Sequence, residues 1–400
     1  MTSMLFMMIS VPLGFAGTYV LNTFGLRYSM ILSAFLNAAG TVVRYGGDYA
    51  QAPHSKLAAV FAGQAITAMA QPVFLDSPTL LAAQWFGESE RAVANTLASV
   101  ANPLGMAVAS ALTPAIVSKP ADMRLMLLVM AIPALVGLIA TVAFFKSRPP
   151  TPPSASASVE SVNFKEGLGR LIRNPAYWAL LFSFAVGIAL ISSVTSLLGQ
   201  LTAGQGYSDD QAGYLGIVMI VAGLIGAGVA GALLDKYHCF LTIFKGAFVI
   251  AAISVVGIVF FDKPDHFALL ATSCGILGLA AFSALPTGLE LCVEITYPVN
   301  EGLSTGLIWI FSQALGTVLM FATSALAGDV VYVDNHGHVF HNVSHYSDDD
   351  DDYTEFHQYP RALYMFAGVT GAATIGALCI KTRYHRLEAE ASHKTFNVQV

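Results

Sequence analysis

The chain has 400 residues, 55% of them hydrophobic and only 11% charged. A soluble domain carries roughly 25% charge, so too few charges remain to cover a water-facing surface, which excludes a soluble enzyme or a nucleic-acid binder. The net charge of −6 comes mostly from the run Asp348 to Asp352 and points to no partner.

The apolar residues form runs close to the ~20 residues that cross a bilayer core of about 30 Å. They lack the short alternating pattern of membrane barrels, so the chain reads as an all-α membrane protein. In chain order, eleven spans are expected at 4–22, 27–46, 57–82, 92–117, 123–145, 176–200, 212–234, 240–261, 266–289, 303–327 and 361–380. The first span begins without a basic leader, so no cleavable signal peptide is expected. After the fifth span, the polar stretch 147–175 opens with Arg148-Pro149-Pro150-Thr151-Pro152-Pro153. It reads as an extended, solvated linker. The linker divides the chain into one bundle at 1–146 and another at 176–381, followed by a tail at 382–400. Cys239, Cys274, Cys292 and Cys379 lie in or beside apolar runs, so no disulfide framework is indicated.

Loop Lys and Arg residues set the orientation. With the linker in the cytosol, 13 of the 19 fall inside and 6 outside. The tail is then cytosolic and the loop 328–360 is external. That loop carries Asn342-Val343-Ser344, a glycosylation triplet that fits an extracellular or lumenal side. It also carries His336, His338, His341 and His345 ahead of five aspartates. Such side chains bind metals when preorganised. Here the composition is that of a disordered acidic loop, and no metal or cofactor is expected.

Two turns on the cytosolic side share a pattern. The first holds Gly17 and Asn22-Thr23-Phe24-Gly25-Leu26-Arg27; the second holds Gly231 and Asp235-Lys236. Glycine lets helices approach closely, and the charged residues hold neighbouring helices together. Both turns resemble the cytosolic motif of the major facilitator superfamily, with Asn22 in place of an acid and His238 in place of a later glycine. There the motif follows the second helix, so 4–22 is counted as helix two and helix one is expected to be missing from this chain. Further segments are Gln71-Pro72-Val73-Phe74-Leu75, Gln84-Trp85-Phe86-Gly87, Pro286-Thr287-Gly288-Leu289-Glu290 and Glu294-Ile295-Thr296-Tyr297-Pro298. These resemble the feline leukaemia virus subgroup C receptor-related family, solute carrier family 49, nearest its major facilitator superfamily domain-containing protein 7 branch. The resemblance covers most of the chain. It implies the major facilitator fold, two pseudo-symmetric helical bundles, and a cargo among choline, ethanolamine and haem.

Polar groups inside a bilayer are costly unless they face a cavity or each other. Gln64, Thr67 and Gln71 form one stripe; Ser192, Thr195, Ser196 and Gly199 form another; Trp309 and Gln313 lie one turn apart. Helix–helix glue is the competing reading for the Ser and Thr residues. The resemblance implies ligand contact at Gln71 and Gln313, whose amides can accept from a hydroxyl such as choline's. It also implies aromatic walls for a quaternary ammonium. One lies on helix one and the other aligns with Ser192, which leaves Trp309 as a candidate replacement. Asp76 is expected about 140° around its helix from Gln71, off the glutamine stripe, and is a candidate for carrying a coupling proton. Glu290 and Glu294 are expected to brace the cytosolic side through Arg91, in a gate shared with Asn22, Arg27, Asp235 and Lys236.

These features read as an alternating-access transporter of a small organic solute, a choline- or ethanolamine-like amine or haem. The expected substrate-binding residues are Gln64, Gln71, Ser192, Thr195, Trp309 and Gln313. The chain is expected to be a multi-pass monomer in the plasma membrane or an endomembrane. Two other readings stay open: a proton-coupled transporter of another solute class, and a non-transporting receptor or scaffold working through the outer loop. No enzyme is expected, since paired catalytic carboxylates, His-Glu-x-x-His and Gly-x-Ser-x-Gly are all lacking.

Overall fold

The computed structural model describes all residues except 1, 50–51, 118, 120–121, 154–161, 163, 264, 329, 334–338, 341–353 and 399–400. Among the described residues, ten helices are long and apolar enough to cross a membrane. They are α1 (Thr2–Gly47), α2 (Pro53–Trp85), α3 (Arg91–Ile116) and α4 (Met123–Phe144) before the linker. After it come α6 (Pro175–Ala203), α7 (Asp209–Tyr237), α8 (Phe240–Phe261), α9 (Phe267–Thr296), α10 (Glu301–Ala325) and α11 (Pro360–Cys379). In a bilayer every backbone N–H and C=O must be satisfied internally, which is why each apolar run closes into a helix.

At about 1.5 Å per residue, the 46 residues of α1 are more than twice as long as a bilayer core. Gly25 breaks it at φ 77° and ψ 175°, a backbone conformation that side chains resist. Before the break, Gly17 packs on Pro72 and Thr18 bonds Asp76, so α1 runs parallel to α2. After it, Gly40 packs on Thr67 and Gly47 on Ala59, so the direction is reversed. The ten helices therefore account for the eleven expected spans, with α1 crossing twice.

Helices before the linker pack chiefly on one another, as α1 on α2 and α4; those after it do the same, as α9 on α7 and α8 and α6 on α10 and α11. The two sets meet along α1–α10, α2–α10, α3–α7 and α3–α9. The largest buried cores lie in the second set, around Leu180, Phe244 and Leu289 and around Leu215, Leu277 and Phe366. Close approach there depends on small residues: a Cβ on Gly226 would stand 2.5 Å from the Leu279 carbonyl. The outer surface keeps large apolar side chains such as Ile139, Phe144 and Ile253 exposed, as lipid contact allows.

Caps mark several helix starts. Asn174 accepts from the amides of Ala176 and Tyr177, Ser208 and Gln211 form a capping box, and Asn300 accepts from Gly302.

Two expectations change. Within 147–175, α5 (Phe164–Ile172) is helical rather than extended. It buries Gly167 and Leu171, with Gly167 against Val299 and Leu303, and sets Phe164 edge-on to Tyr19. The tail folds as α12 (His385–Val398), packed under α9. At the opposite end, β1 (Val330–Val333) pairs antiparallel with β2 (Val339–Phe340) and β3 (Thr354–His357). This sheet is ordered structure in part of the loop read as disordered. Asn342, His336, His338, His341, His345 and the aspartate run lie outside the described residues.

Candidate functional site

Midway along α2, a cleft opens between α1, α2 and α10, lined by Gly14, Gln71, Asp76, Gly306, Trp309 and Gln313 among others. Its cavity is about 10 Å³, the room one water needs. Asp76 is 1% exposed, and its Oδ2 accepts from Thr18 Oγ1 at 2.9 Å. Its Oδ1 is buried with no partner among the described residues, as are Gln71 Oε1 and Trp309 Nε1. Leaving such an atom unmatched costs about 1–3 kcal/mol. Two acceptors and one donor, unsatisfied among the described residues, therefore belong to side chains that line one small space. A Cβ on Gly306 would stand 2.7 Å from Asp76 Oδ2, so only glycine lets α10 come this near. The Trp309 ring is held edge-on by Phe184 of α6, with centroids 6.0 Å apart.

The sequence spacing set Asp76 off the glutamine stripe, yet both residues line this cleft. Two physical reasons apply. The cleft is bounded by α1 and α10 together, so it takes in more than one face of α2. Pro72 and Pro78 also lie inside α2, and each removes a backbone bond that would hold the helix straight. Gln71, Trp309 and Gln313 are brought together as spaced. Gln64 is elsewhere: its Oε1 accepts from Arg44 Nη1 at 3.0 Å. Thr195 Oγ1 turns back onto the Ile191 carbonyl at 2.7 Å. Ser192 is half-buried on the same helix, and neither residue is among those lining the cleft.

A second constellation seals the side where α4 leaves for the linker and α6 returns from it. Asp235, at the end of α7, accepts from the backbone amides of Ala92 and Val93, both at 2.8 Å. These are unpaired first-turn donors of α3, where a carboxylate also meets the positive end of the helix dipole. Asn95 Nδ2 donates to Glu290 Oε1 at 2.9 Å. Arg386 Nη2 donates to Glu290 Oε2 at 2.7 Å, and its Nε to Glu294 Oε1 at 2.8 Å. Arg91 Nη2 pairs with Glu390 Oε1 at 3.3 Å. Burial disfavours the charge on Arg386, but the pull of Glu290 and then Glu294 overrides this and holds the guanidinium's pKa above its ordinary value.

The expected brace of Glu290 and Glu294 through Arg91 is thus replaced. Their cation is Arg386, and Arg91 takes Glu390, because α12 folds back between them. In the sequence, 382–400 reads only as a cytosolic tail; the i, i+4 spacing of Arg386 and Glu390 was the available signal that they share a face. Of the other motif residues, Arg27 is exposed and its backbone N–H donates to Ser147 Oγ, Lys236 Nζ lies 5.2 Å over the Tyr237 ring, and Asn22 is half-buried. None of the three joins the network. Among the described residues, no group of three His, Cys, Asp or Glu side chains has metal-binding geometry.

Two helical sets joined by a linker, meeting along α3–α7 and α1–α10, define a membrane protein of the major facilitator class. Residues 1–320 match the Major Facilitator Superfamily. The proton:xylose symporter XylE, solved with 6-bromo-6-deoxy-D-glucose, shares the fold with a TM-score of 0.67 at 14% identity, covering 96% of this chain and 87% of that one. Solute carrier family 49 member A3 of Danio rerio is 39% identical over 329 residues, 81% of this chain and 69% of that protein. The choline/ethanolamine transporter flvcr2b of Danio rerio is 28% identical over 350 residues, 82% of this chain and 71% of that protein. The chain belongs to solute carrier family 49 within the major facilitator superfamily.

Proposed function

We propose that the chain moves a small organic amine across its membrane by alternating access, with the linker side in the cytosol. One observation carries this reading: three residues that line a cleft where the two helical sets meet each bury a polar atom with no partner among the described residues. Gln71 belongs to one set and Gln313 to the other, so a solute bridging them contacts open and closed states differently. That difference is what lets a ligand shift a conformational equilibrium. The seal on the linker side leaves the cleft to be reached from the other side. The bias of 13 cationic residues over 6 supports a cytosolic linker.

An amine is favoured over haem by the lining. Among the described residues, no His, Cys, Met or Tyr borders the cleft, so none of them offers a haem iron a ligand there. Similarity to the choline/ethanolamine transporter flvcr2b of Danio rerio supports the same choice. The test is uptake of labelled choline and ethanolamine by cells making the full chain. Gln71→Ala and Gln313→Ala are each expected to lower uptake at least about tenfold, since 1.4 kcal/mol of lost binding suffices, at equal surface amount. Unchanged uptake in both variants contradicts the reading.

A further inference from the structure

Asp76 is a buried carboxylate with no ion-pair partner among the described residues. Among the described residues its only hydrogen bond, from Thr18 Oγ1 at 2.9 Å, engages Oδ2 and leaves Oδ1 without a partner on a residue that lines the cleft. A carboxylate buried alone is expensive, so it must either hold a proton or meet a cation. Gln71 Oε1 beside it is a second acceptor without a donor, and Trp309 Nε1 is a donor without an acceptor. We propose that Asp76, Gln71 and Trp309 form a socket for the –NH₃⁺ head of a primary amino alcohol, so that the protein prefers such solutes to quaternary ammonium ones. This rests on the transport reading above and narrows it.

The match is one of donors and of size. A primary ammonium carries three N–H donors, enough for Gln71 Oε1 and Asp76 Oδ1 together, while the neighbouring hydroxyl oxygen accepts from Trp309 Nε1. A quaternary ammonium has no N–H and would leave at least one acceptor buried and unmatched. Sites built to hydrogen-bond a substrate group discriminate strongly against analogues that lack it. The cavity of about 10 Å³ has the room of one water, so it must widen to admit either solute, and three added methyl groups require more widening than a bare ammonium. Thr18 and the bare Cα of Gly306 fix the carboxylate, so its free oxygen is aimed before the solute arrives.

The experiment is uptake of labelled ethanolamine and choline by proteoliposomes of the purified full chain, wild type and Asp76→Asn. Asn keeps the shape and removes the charge; monodisperse elution checks that the variant folds. Wild type is expected to take up ethanolamine at least about tenfold more efficiently than choline, as loss of one charge-assisted bond implies. Asp76→Asn is expected to lose most of that preference, with ethanolamine falling and choline changing less than about twofold. Thr18→Val, which releases Oδ2, is expected to lower ethanolamine uptake selectively. Equal wild-type uptake of both amines overturns the socket alone, as does an equal fall of both in Asp76→Asn, which would assign Asp76 a structural or proton-carrying role. Uptake of neither amine by inserted wild-type protein overturns the transport reading together with it.

Discussion

Asp262 follows α8 on the side opposite the linker, and it is 7% exposed with Oδ1 unmatched. Burial pushes its carboxyl up to about 7. The folded chain therefore holds a proton that the unfolded chain releases near pH 4. Its contribution to stability is fullest below that pH and is lost as pH rises through about 7. The melting midpoint of the purified protein is expected to be higher at about pH 5.5 than at about pH 8, and Asp262→Asn should flatten that difference. Gly306→Ala tests the cleft at the same scale. Its new Cβ meets Thr18 and Asp76, and overpacking of this kind costs about 1–3 kcal/mol. Melting should fall and uptake should drop, whereas Gly105→Ala, with open space around it, should do neither. The sequence made Gln71, Trp309 and Gln313 visible, because amides and indoles are rare where lipid would otherwise be met. Asp76 was visible but placed by ideal helix rotation, which ignores prolines and neighbouring helices. Thr18 gave no signal, since threonine is ordinary in a membrane helix.

Helices are legible in sequence to the extent that lipid dictates them. The long apolar runs of α2 to α4 and α6 to α11 follow from bilayer thickness, and Gly25 was already marked as a turn. The short helices were not legible. α5 carries charges and two glycines and α12 carries charges, a composition that suits a solvated segment, and tertiary contact holds both as helices. α12 is the more consequential of the two. Removing the Arg386 side chain leaves Glu290 and Glu294 buried together, and such a loss costs about 3–5 kcal/mol. Arg386→Ala should therefore lower the melting midpoint sharply, and adding Glu290→Gln and Glu294→Gln should recover most of it. A triple variant as unstable as the single one would mean that Arg386 acts through packing instead.

At the scale of the whole molecule, the polar contacts seen between the helical sets gather on one side: Asp235 with Ala92 and Val93, Asn95 with Glu290, Arg91 with Glu390. Opening that side must break them together. Asp235→Ala removes a helix cap, worth typically about 1 kcal/mol, so it should shift the population towards the linker-side-open form by roughly fivefold to tenfold. Spin labels placed across that side, one on each set, should report the longer distance more often in the variant. The bundle architecture could be read from span count and linker position. Which side is closed could not, because closure depends on pairs of residues far apart in the chain.

That distance has a consequence during synthesis. Arg386 lies 92 residues beyond Glu294, and Glu390 lies 299 beyond Arg91. At about 5–20 residues per second, α9 waits roughly 5–20 s in the membrane before its cation is made. Through that interval the nascent chain carries two acids in α9 that only a later segment can neutralise. Asp235 and Asn95 can join the two halves before then, and the ion pairs of the tail are the last part to be delivered.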